Sequence, residues 1–163
     1  MTSAKRIALL AIVVVCAAGA GFGAWALARR PGPARPEISA YSDGQLARVG
    51  PYRYCSVLDL TNCQNPQTEG EVRVNSRSPV QLSVPTSIGD APWWLLTVYE
   101  DSAIPTTTFY RPGTRLAVTI PTVDPHHGRL TGIAVQLMTA YVDPNGEVQG
   151  VPHAEWSVRT VWS

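Results

Sequence analysis

The sequence has 163 residues, of which 45% are hydrophobic and 15% are charged, and its formal net charge is +1. Its mean hydropathy is close to neutral, which excludes a chain that is disordered throughout. A single globular domain is the expected organisation at this length. The small net charge and the lack of a basic stripe argue against a nucleic-acid partner.

The N-terminal segment is predicted to meet a membrane. Residues 7–28 carry no charge and lie between two pairs of basic residues. As a helix this run would measure about 33 Å, enough to cross a hydrocarbon core of about 30 Å. We interpret residues 1–30 as a signal-anchor that forms one transmembrane helix and holds the protein in the cell membrane. The alternative is a signal peptide cleaved near Ala28, which would release a secreted protein.

The next segment is predicted to be a linker, and the remainder an extracytoplasmic domain. Residues 31–36 read PGPARP, a composition typical of a stiff, extended tether, and the domain is assigned to residues 37–163. Cys55 and Cys63 are the only cysteines in that domain, and an even pair in an exported chain predicts a disulfide bond. A structural zinc site would need a second pair of ligands. The cysteines therefore favour a domain outside the cytoplasm.

The domain is predicted to be all-β. All the prolines lie from residue 31 onward, where they interrupt any long helix, and no window shows sustained helical periodicity. Short segments of alternating apolar residues are separated by turns rich in proline and glycine, such as Asp43-Gly44 and the run from Asp143 to Gly146. About seven such strands favour an immunoglobulin-like β-sandwich, with a small β-barrel as the alternative.

The predicted core follows from this alternation. The loop between Cys55 and Cys63 is expected at the edge of a sheet, since both cysteines precede most of the predicted strands. The inward-facing residues are expected to be Val80, Leu82, Val84, Trp93, Leu95, Leu116, Val118, Val135, Leu137 and Trp156.

Five motifs occur together in a fixed order. They are a Tyr54-Cys55 pair, DLTNC at residues 59–63, GEVRV at 70–74, VQLSVP at 80–85 and PWW at 92–94. In this order the chain resembles DUF2771, a family of small exported, membrane-anchored actinobacterial proteins. The resemblance covers most of residues 36–162 and implies an envelope location and an immunoglobulin-like sandwich. It implies no catalytic or binding residues. Some relatives carry a lipidated cysteine after a small residue, whereas Cys16 here follows Val15.

The histidines are the candidate ligands for a metal ion. His126 and His127 lie near Asp124, and His153 lies far downstream. Because adjacent residues of an extended chain point to opposite sides, at most one of the two neighbouring histidines can join Asp124 around an ion. We interpret this segment as a solvated turn between two strands and expect no metal or other cofactor.

No catalytic motif is recognisable either. No serine lies in a Gly-x-Ser-x-Gly elbow, and both domain cysteines are assigned to the disulfide. The acidic pair Glu100-Asp101 follows an apolar strand and is typical of an exposed loop. We therefore expect that the protein is not an enzyme.

The remaining candidate is an aromatic surface patch. On a strand one of Trp93 and Trp94 must face outward, and we predict that Trp94 does. We expect residues 103–111 to form a loop that adds Phe109 and Tyr110 to a patch around Trp94. An exposed tryptophan is a favoured centre of protein interfaces. The alternative is that a loop, such as the one between Cys55 and Cys63, covers the outward tryptophan, because large aromatic side chains are seldom left bare.

The sequence thus favours a non-enzymatic membrane-anchored envelope protein that binds or supports another envelope protein. The first alternative is a binding module for a lipid or glycan, which predicts an enclosed apolar pocket of about 300 Å³ or more. A weaker alternative is a metal or redox module, which predicts that His126 or His127 lies close to His153.

Overall fold

The computed structural model describes residues 35–163, together with Cys16, Gly19 and Gly21, which are helical. Among these described positions no helix is long and apolar enough to cross a bilayer. The predicted membrane segment, apart from those three positions, and residues 31–34 of the predicted linker lie outside the described residues. Residues Arg35–Ser163 form one compact unit.

The described domain is built from strands and one short helical turn, which confirms the all-β prediction. In chain order the elements are β1 (Ile38–Ser42), β2 (Gln45–Val49), β3 (Arg53–Ser56), β4 (Asp59–Gln64), β5 (Glu69–Val74), β6 (Val80–Ser83), α1 (Thr86–Gly89), β7 (Trp93–Tyr99), β8 (Thr106–Tyr110), β9 (Ala117–Ile120), β10 (Val123–Asp124), β11 (Gly128–Val142) and β12 (Val148–Trp162).

The strands form two sheets that pack as a sandwich. The small sheet has the order β2-β1-β6-β9, and the large sheet has the order β4-β3-β12-β11-β7-β8. In the large sheet β10 also pairs with β11, and β5 pairs with β12 in the one parallel ladder described. All the other described ladders are antiparallel. Neither sheet closes on itself, so the alternative of a small barrel is wrong.

Alternation along each strand determines which side chains enter the core. In β7 the residues Trp93, Leu95, Thr97 and Tyr99 are buried, and the three between them are half-buried. The side chains of β6 and β12 alternate in the same way, so that every second residue points into the core. The inner faces of the two sheets therefore share one hydrophobic core, with Trp93 and Trp156 as its largest fully buried side chains.

The predicted core is largely confirmed. Eight of its ten residues are buried, Val118 is partly buried, and Leu116 is 43% exposed, so its assignment to the core is wrong. Leu116 precedes the first residue of β9 and lies against α1 at Gly89, where an added Cβ would come within 2.1 Å of Leu116 Cδ2. Leu116 thus covers the helical turn from outside instead of entering the space between the sheets.

The predicted turn at Asp43-Gly44 joins β1 to β2. Both residues have positive φ angles, 46° for Asp43 and 74° for Gly44, as a tight two-residue hairpin requires. At the other predicted turn, the N–H of Gly146 donates to the carbonyl oxygen of Asp143 at 3.0 Å. This second turn closes the long hairpin of β11 and β12, whose far end carries mostly exposed residues.

Candidate functional site: an aromatic patch on the large sheet

Trp94 and Phe109 lie side by side on the outer face of the large sheet. They are direct partners in the β7–β8 ladder, and their ring centroids are 5.6 Å apart with planes inclined by 58°. Trp94 is half-buried and Phe109 is 48% exposed. We call these two residues the aromatic patch. Their centroid separation lies within the range of about 4.5–7 Å over which aromatic pairs attract each other.

Tyr110, which the sequence placed in the same patch, lies on the opposite face of β8. It stacks on the buried Trp93, with ring centroids 4.4 Å apart and an interplanar angle of 26°. The reason is the strand period: Phe109 and Tyr110 are neighbours, so their side chains must point to opposite faces. The structure thus brings together Trp94 and Phe109, whereas Tyr110 packs against the core.

The predicted loop at residues 103–111 is wrong in its centre, because Thr106–Tyr110 form strand β8. The signal was present in the sequence, since three consecutive threonines and two aromatic residues have high β propensity. Pro105 does not argue against this strand, because a proline placed just before a strand does not interrupt its ladder. The strand fixes Phe109 beside Trp94, which a loop would not do.

A row of polar side chains continues from the aromatic patch across the same face. Gln136 is the β11 partner of Trp94, and Glu155 is the β12 partner of Gln136. The amide Nε2 of Gln136 donates to the carboxylate of Glu155 at 3.2 Å. Arg53 of β3 is the next partner in the row and donates from Nη2 to the carbonyl oxygen of Pro152 at 3.1 Å. We call Gln136, Glu155 and Arg53 the polar row. Sequence reasoning missed it, since its members come from three strands far apart in the chain.

The predicted disulfide between Cys55 and Cys63 is present, and it joins directly opposed residues of β3 and β4. As expected, it lies at the edge of the large sheet and does not connect the two sheets. It therefore closes a hairpin at the sheet edge opposite β8.

His153 lies beside this hairpin and is almost completely buried. The β11–β12 register shifts there, because Leu137 faces Ala154 whereas Met138 faces Pro152, which leaves His153 as the extra residue. The ring Nδ1 lies 3.4 Å from the carbonyl oxygen of Cys55, and the ring meets Tyr54 edge-on at 6.1 Å. The bulge thus turns this histidine into a packing residue of the disulfide hairpin.

The segment with Asp124, His126 and His127 is a solvated turn, as interpreted from the sequence. Asp124 Oδ1 accepts the backbone N–H of His126 at 2.8 Å and that of His127 at 3.0 Å. The first of these hydrogen bonds is the main cause that lowers the pKa of the Asp124 carboxyl. Both histidines are exposed. The carboxylate therefore organises the turn between β10 and β11.

The turn and His153 lie at different places along the large sheet. Gly128 ends the turn, whereas His153 lies next to the β12 partner of Met138. Ten residues of β11 separate these two levels, about 33 Å at the usual rise of a strand. Nowhere in the described part of the chain do three or more His, Cys, Asp or Glu side chains gather as metal ligands. The juxtaposition that the metal or redox alternative required is absent from residues 35–163.

The acidic pair Glu100-Asp101 is exposed at the end of β7. The backbone N–H of Glu100 donates to the Arg129 carbonyl at 2.9 Å, and that of Asp101 donates to the His127 carbonyl at 3.1 Å. These contacts hold the backbone of the loop and leave both carboxylates at the surface.

The surface of the domain has a groove and a pocket that could be relevant to ligand binding. A groove of about 380 Å³ runs between the edges of the two sheets, and it is lined by Tyr110, Arg115, Ala117, Val118 and Thr119. A polar pocket of about 210 Å³ is lined by Arg35, Tyr54, Ser56, Asn62 and Gln64. The groove contains one charged and two hydroxyl-bearing side chains beside two apolar ones, and the lining of the pocket is polar. Neither is the apolar cavity predicted for a lipid.

The fold and the site define an all-β sandwich whose distinctive surface feature is the aromatic patch beside the polar row. The chain belongs to the family described as "Protein of unknown function (DUF2771)", whose sequence profile matches residues 31–161. This confirms the resemblance seen in the ordered motifs.

Mycobacterial relatives extend the similarity to nearly the whole chain. The uncharacterised protein Rv0875c of Mycobacterium tuberculosis (strain H37Rv) is 62% identical over 151 residues, which are 93% of this chain and 93% of the relative. The uncharacterised protein Mb0899c of Mycobacterium bovis matches with the same identity and coverage. No solved structure matches the chain significantly.

Proposed function

We propose that this protein is a non-enzymatic, membrane-anchored module of the cell envelope that binds another envelope protein through the aromatic patch. The observation that carries the proposal is the contact of Trp94 with Phe109 on an outer sheet face, where Phe109 keeps 48% of its surface exposed. Large aromatic side chains supply much of the binding energy of protein interfaces, especially when polar groups surround them.

The location is supported by the sequence and by the disulfide. The uncharged run at residues 7–28 is long enough to span a bilayer, and the Pro-rich linker follows it. The bond between Cys55 and Cys63 is of a kind that persists in oxidising compartments. We propose a single-pass protein with residues 37–163 outside the cytoplasm. Cleavage near Ala28 would give a secreted form with the same domain.

An immunoglobulin-like arrangement of the sandwich is part of the proposal. Two largely antiparallel sheets pack face to face over alternating inward side chains, and Trp93 and Trp156 fill the core between them. Domains of this architecture commonly present interaction surfaces on the sheets or on the loops at their ends. The chemistry of the surface, and not the fold, supports binding over catalysis here.

A glycan is the second candidate partner, because Trp94 lies beside hydrogen-bonding groups. Its ring neighbours Gln136 in the ladder, and Gln136 donates to Glu155. An aromatic face next to an amide and a carboxylate can stack on a sugar ring and bond its hydroxyl groups. A lipid has less support, since the pocket described above has a polar lining and the groove mixes two apolar side chains with charged and hydroxyl-bearing ones.

Site-specific photocrosslinking in intact cells tests the protein-binding proposal. A photoreactive amino acid at position 109 should give a discrete crosslinked species that mass spectrometry shows to contain a different protein, not a second copy of this chain, and Trp94→Ala in the same chain should weaken it. The matched control carries the photoreactive group at Leu58, which is 98% exposed on the disulfide hairpin. Crosslinks of equal pattern and yield from positions 109 and 58 would refute a specific partner at the patch.

The anchor is tested separately by mass spectrometry of the mature N-terminus. A chain that retains residues 1–30 and remains in the membrane fraction after alkaline washing is the expected result. A chain beginning near Arg29 in the culture medium would show that the protein is secreted.

A further inference from the structure

Strand β8 forms an edge of the large sheet that is free for pairing. Among the described strands it pairs only with β7, so one side of its backbone faces no other strand. Four of its five residues are exposed, and none of the five is charged. Uncharged, exposed edge strands readily add another strand, and proteins usually protect them.

The other edges of the sandwich carry protecting features. β4 contains Asp59 and is tied to β3 by the disulfide. β2 is bridged to β5, because the backbone N–H of Arg73 donates to Gln45 Oε1 at 2.8 Å. β9 has only four residues, which gives a partner strand a shorter ladder. β8 is thus the least protected edge among the described strands.

From these features we propose that β8 pairs with β8 of a second copy of this chain, antiparallel and centred on Thr108, and so joins two large sheets into one. This inference goes beyond the proposed function and does not depend on the identity of an envelope partner. A strand without charges can face its own copy without like-charge repulsion. Pro105 and Pro112 lie just outside the five pairing residues, where they remove no ladder hydrogen bond.

The aromatic patch gives a second reason for this register. When the two β8 strands pair antiparallel about Thr108, Thr107 lies opposite Phe109 of the partner subunit on the outer face. The two phenylalanines then become diagonal neighbours at about 7–8 Å, within reach of aromatic side chains. Each already contacts its own Trp94. The dimer would therefore carry a continuous strip of four aromatic rings, which covers part of the Phe109 surface left exposed in the single chain.

Cysteine crosslinking of the full chain in membranes tests the register. The background is Cys16→Ser, because Cys16 is a free cysteine. Thr108→Cys should form a disulfide-linked dimer under mild oxidation, since residue 108 faces itself across the two-fold axis. The control is Val148→Cys, which is 72% exposed in β12 and distant from β8 along the ladders. Equal dimer yields from the two variants, or none from Thr108→Cys, would overturn the proposal.

Charged substitutions at position 108 provide an independent test of dimerisation with the solubilised full chain. Thr108→Lys places two lysines opposite each other and should weaken dimerisation about fivefold, as measured by analytical ultracentrifugation. Mixing it with Thr108→Glu should restore dimers, because the opposed charges then attract. A wild-type chain that sediments as a monomer, or a dimer unaffected by Thr108→Lys, would contradict the inference. Crosslinking to another protein at position 109 could persist in either case, so this proposal and the proposed function can fail separately.

Discussion

The two outer hairpins of the large sheet are held in place by different means. At one edge, β3 and β4 are joined covalently through Cys55 and Cys63, and most residues of β4 are exposed. At the other edge, β7 and β8 are held by packing, because Tyr110 stacks on the fully buried Trp93. A crosslink thus secures the hairpin with little buried apolar surface, and aromatic packing secures the hairpin next to the core.

This difference separates the two edges by function as well, because only the β7–β8 edge has a face that is available for binding. At the packed edge, one face of β7 and β8 packs against the core and stabilises the domain. The other face carries Trp94 and Phe109, which contribute less to the packing of the core. In the crosslinked edge, His153 and Tyr54 pack behind Cys55. The comparison predicts that stability and binding respond to different substitutions at the packed edge.

Trp93→Ala should produce the largest loss of stability. Trp93 is fully buried and stacks on Tyr110, so its removal leaves a cavity and removes the packing that holds β8 against the core. The expected cost is about 3–5 kcal/mol in the free energy of unfolding, measured by chemical denaturation. Trp93→Phe should cost less, because it keeps an aromatic ring and removes an indole N–H that is buried without a hydrogen-bond partner in the described chain.

Trp94→Ala is the matched control at the neighbouring position. Its half-buried side chain lies outside the core, so we expect a smaller change in unfolding free energy and a large loss of the crosslink from position 109. If Trp94→Ala destabilised the domain as much as Trp93→Ala, the division between a structural face and a binding face would be wrong.

Cys55→Ser with Cys63→Ser should lower stability by an intermediate amount. The disulfide closes a loop with a sequence separation of 8 residues, and restricting such a loop in the unfolded chain is worth about 2–3 kcal/mol. Hydrogen exchange should increase first in β3 and β4, since little else holds β4. Equal melting temperatures for the oxidised and reduced wild-type protein would contradict this role of the crosslink.

The smallest effect on stability is expected from acidification, and it arises at the β11–β12 turn. This turn lies outside both edge hairpins. The backbone N–H groups of Glu147 and Asn145 donate to Asp143 Oδ1, both at 2.9 Å. The Glu147 hydrogen bond is the main cause that lowers the pKa of Asp143 below its ordinary value of 3.8. A carboxyl with a lowered pKa stabilises the fold above its ordinary value, and this contribution is lost as the pH falls through the lowered pKa.

The protection factors of the Asn145 and Glu147 amides, which correct for the intrinsic exchange rate at each pH, should therefore fall as the pH is lowered below about 4. Asp143→Asn keeps an oxygen acceptor and removes the titration, so the protection of these amides should lose that pH dependence. An unchanged profile in the variant would assign the effect to another group.

Local patterns predicted most of the domain. The errors at β8 are local, because its strand was not recognised, whereas the features that were missed arise from pairing between distant strands. Alternation located β6, β7 and the inner face of β11, and the cysteine pair predicted the disulfide. Parity along β8 would have separated Phe109 from Tyr110 once a strand had been recognised there. The polar row required the ladder register of Gln136, Glu155 and Arg53, which no local pattern contains. The parallel pairing of β5 with β12 likewise joins segments that are far apart in sequence.

The position of β12 affects the order in which the domain can fold. It is the last described strand to be synthesised, yet it lies in the middle of the large sheet and pairs with β3, β5 and β11. A nascent chain that lacks β12 therefore holds two halves of a sheet with nothing between them. The large sheet can assemble only after that strand has emerged, and such dependence on late, long-range pairing slows folding.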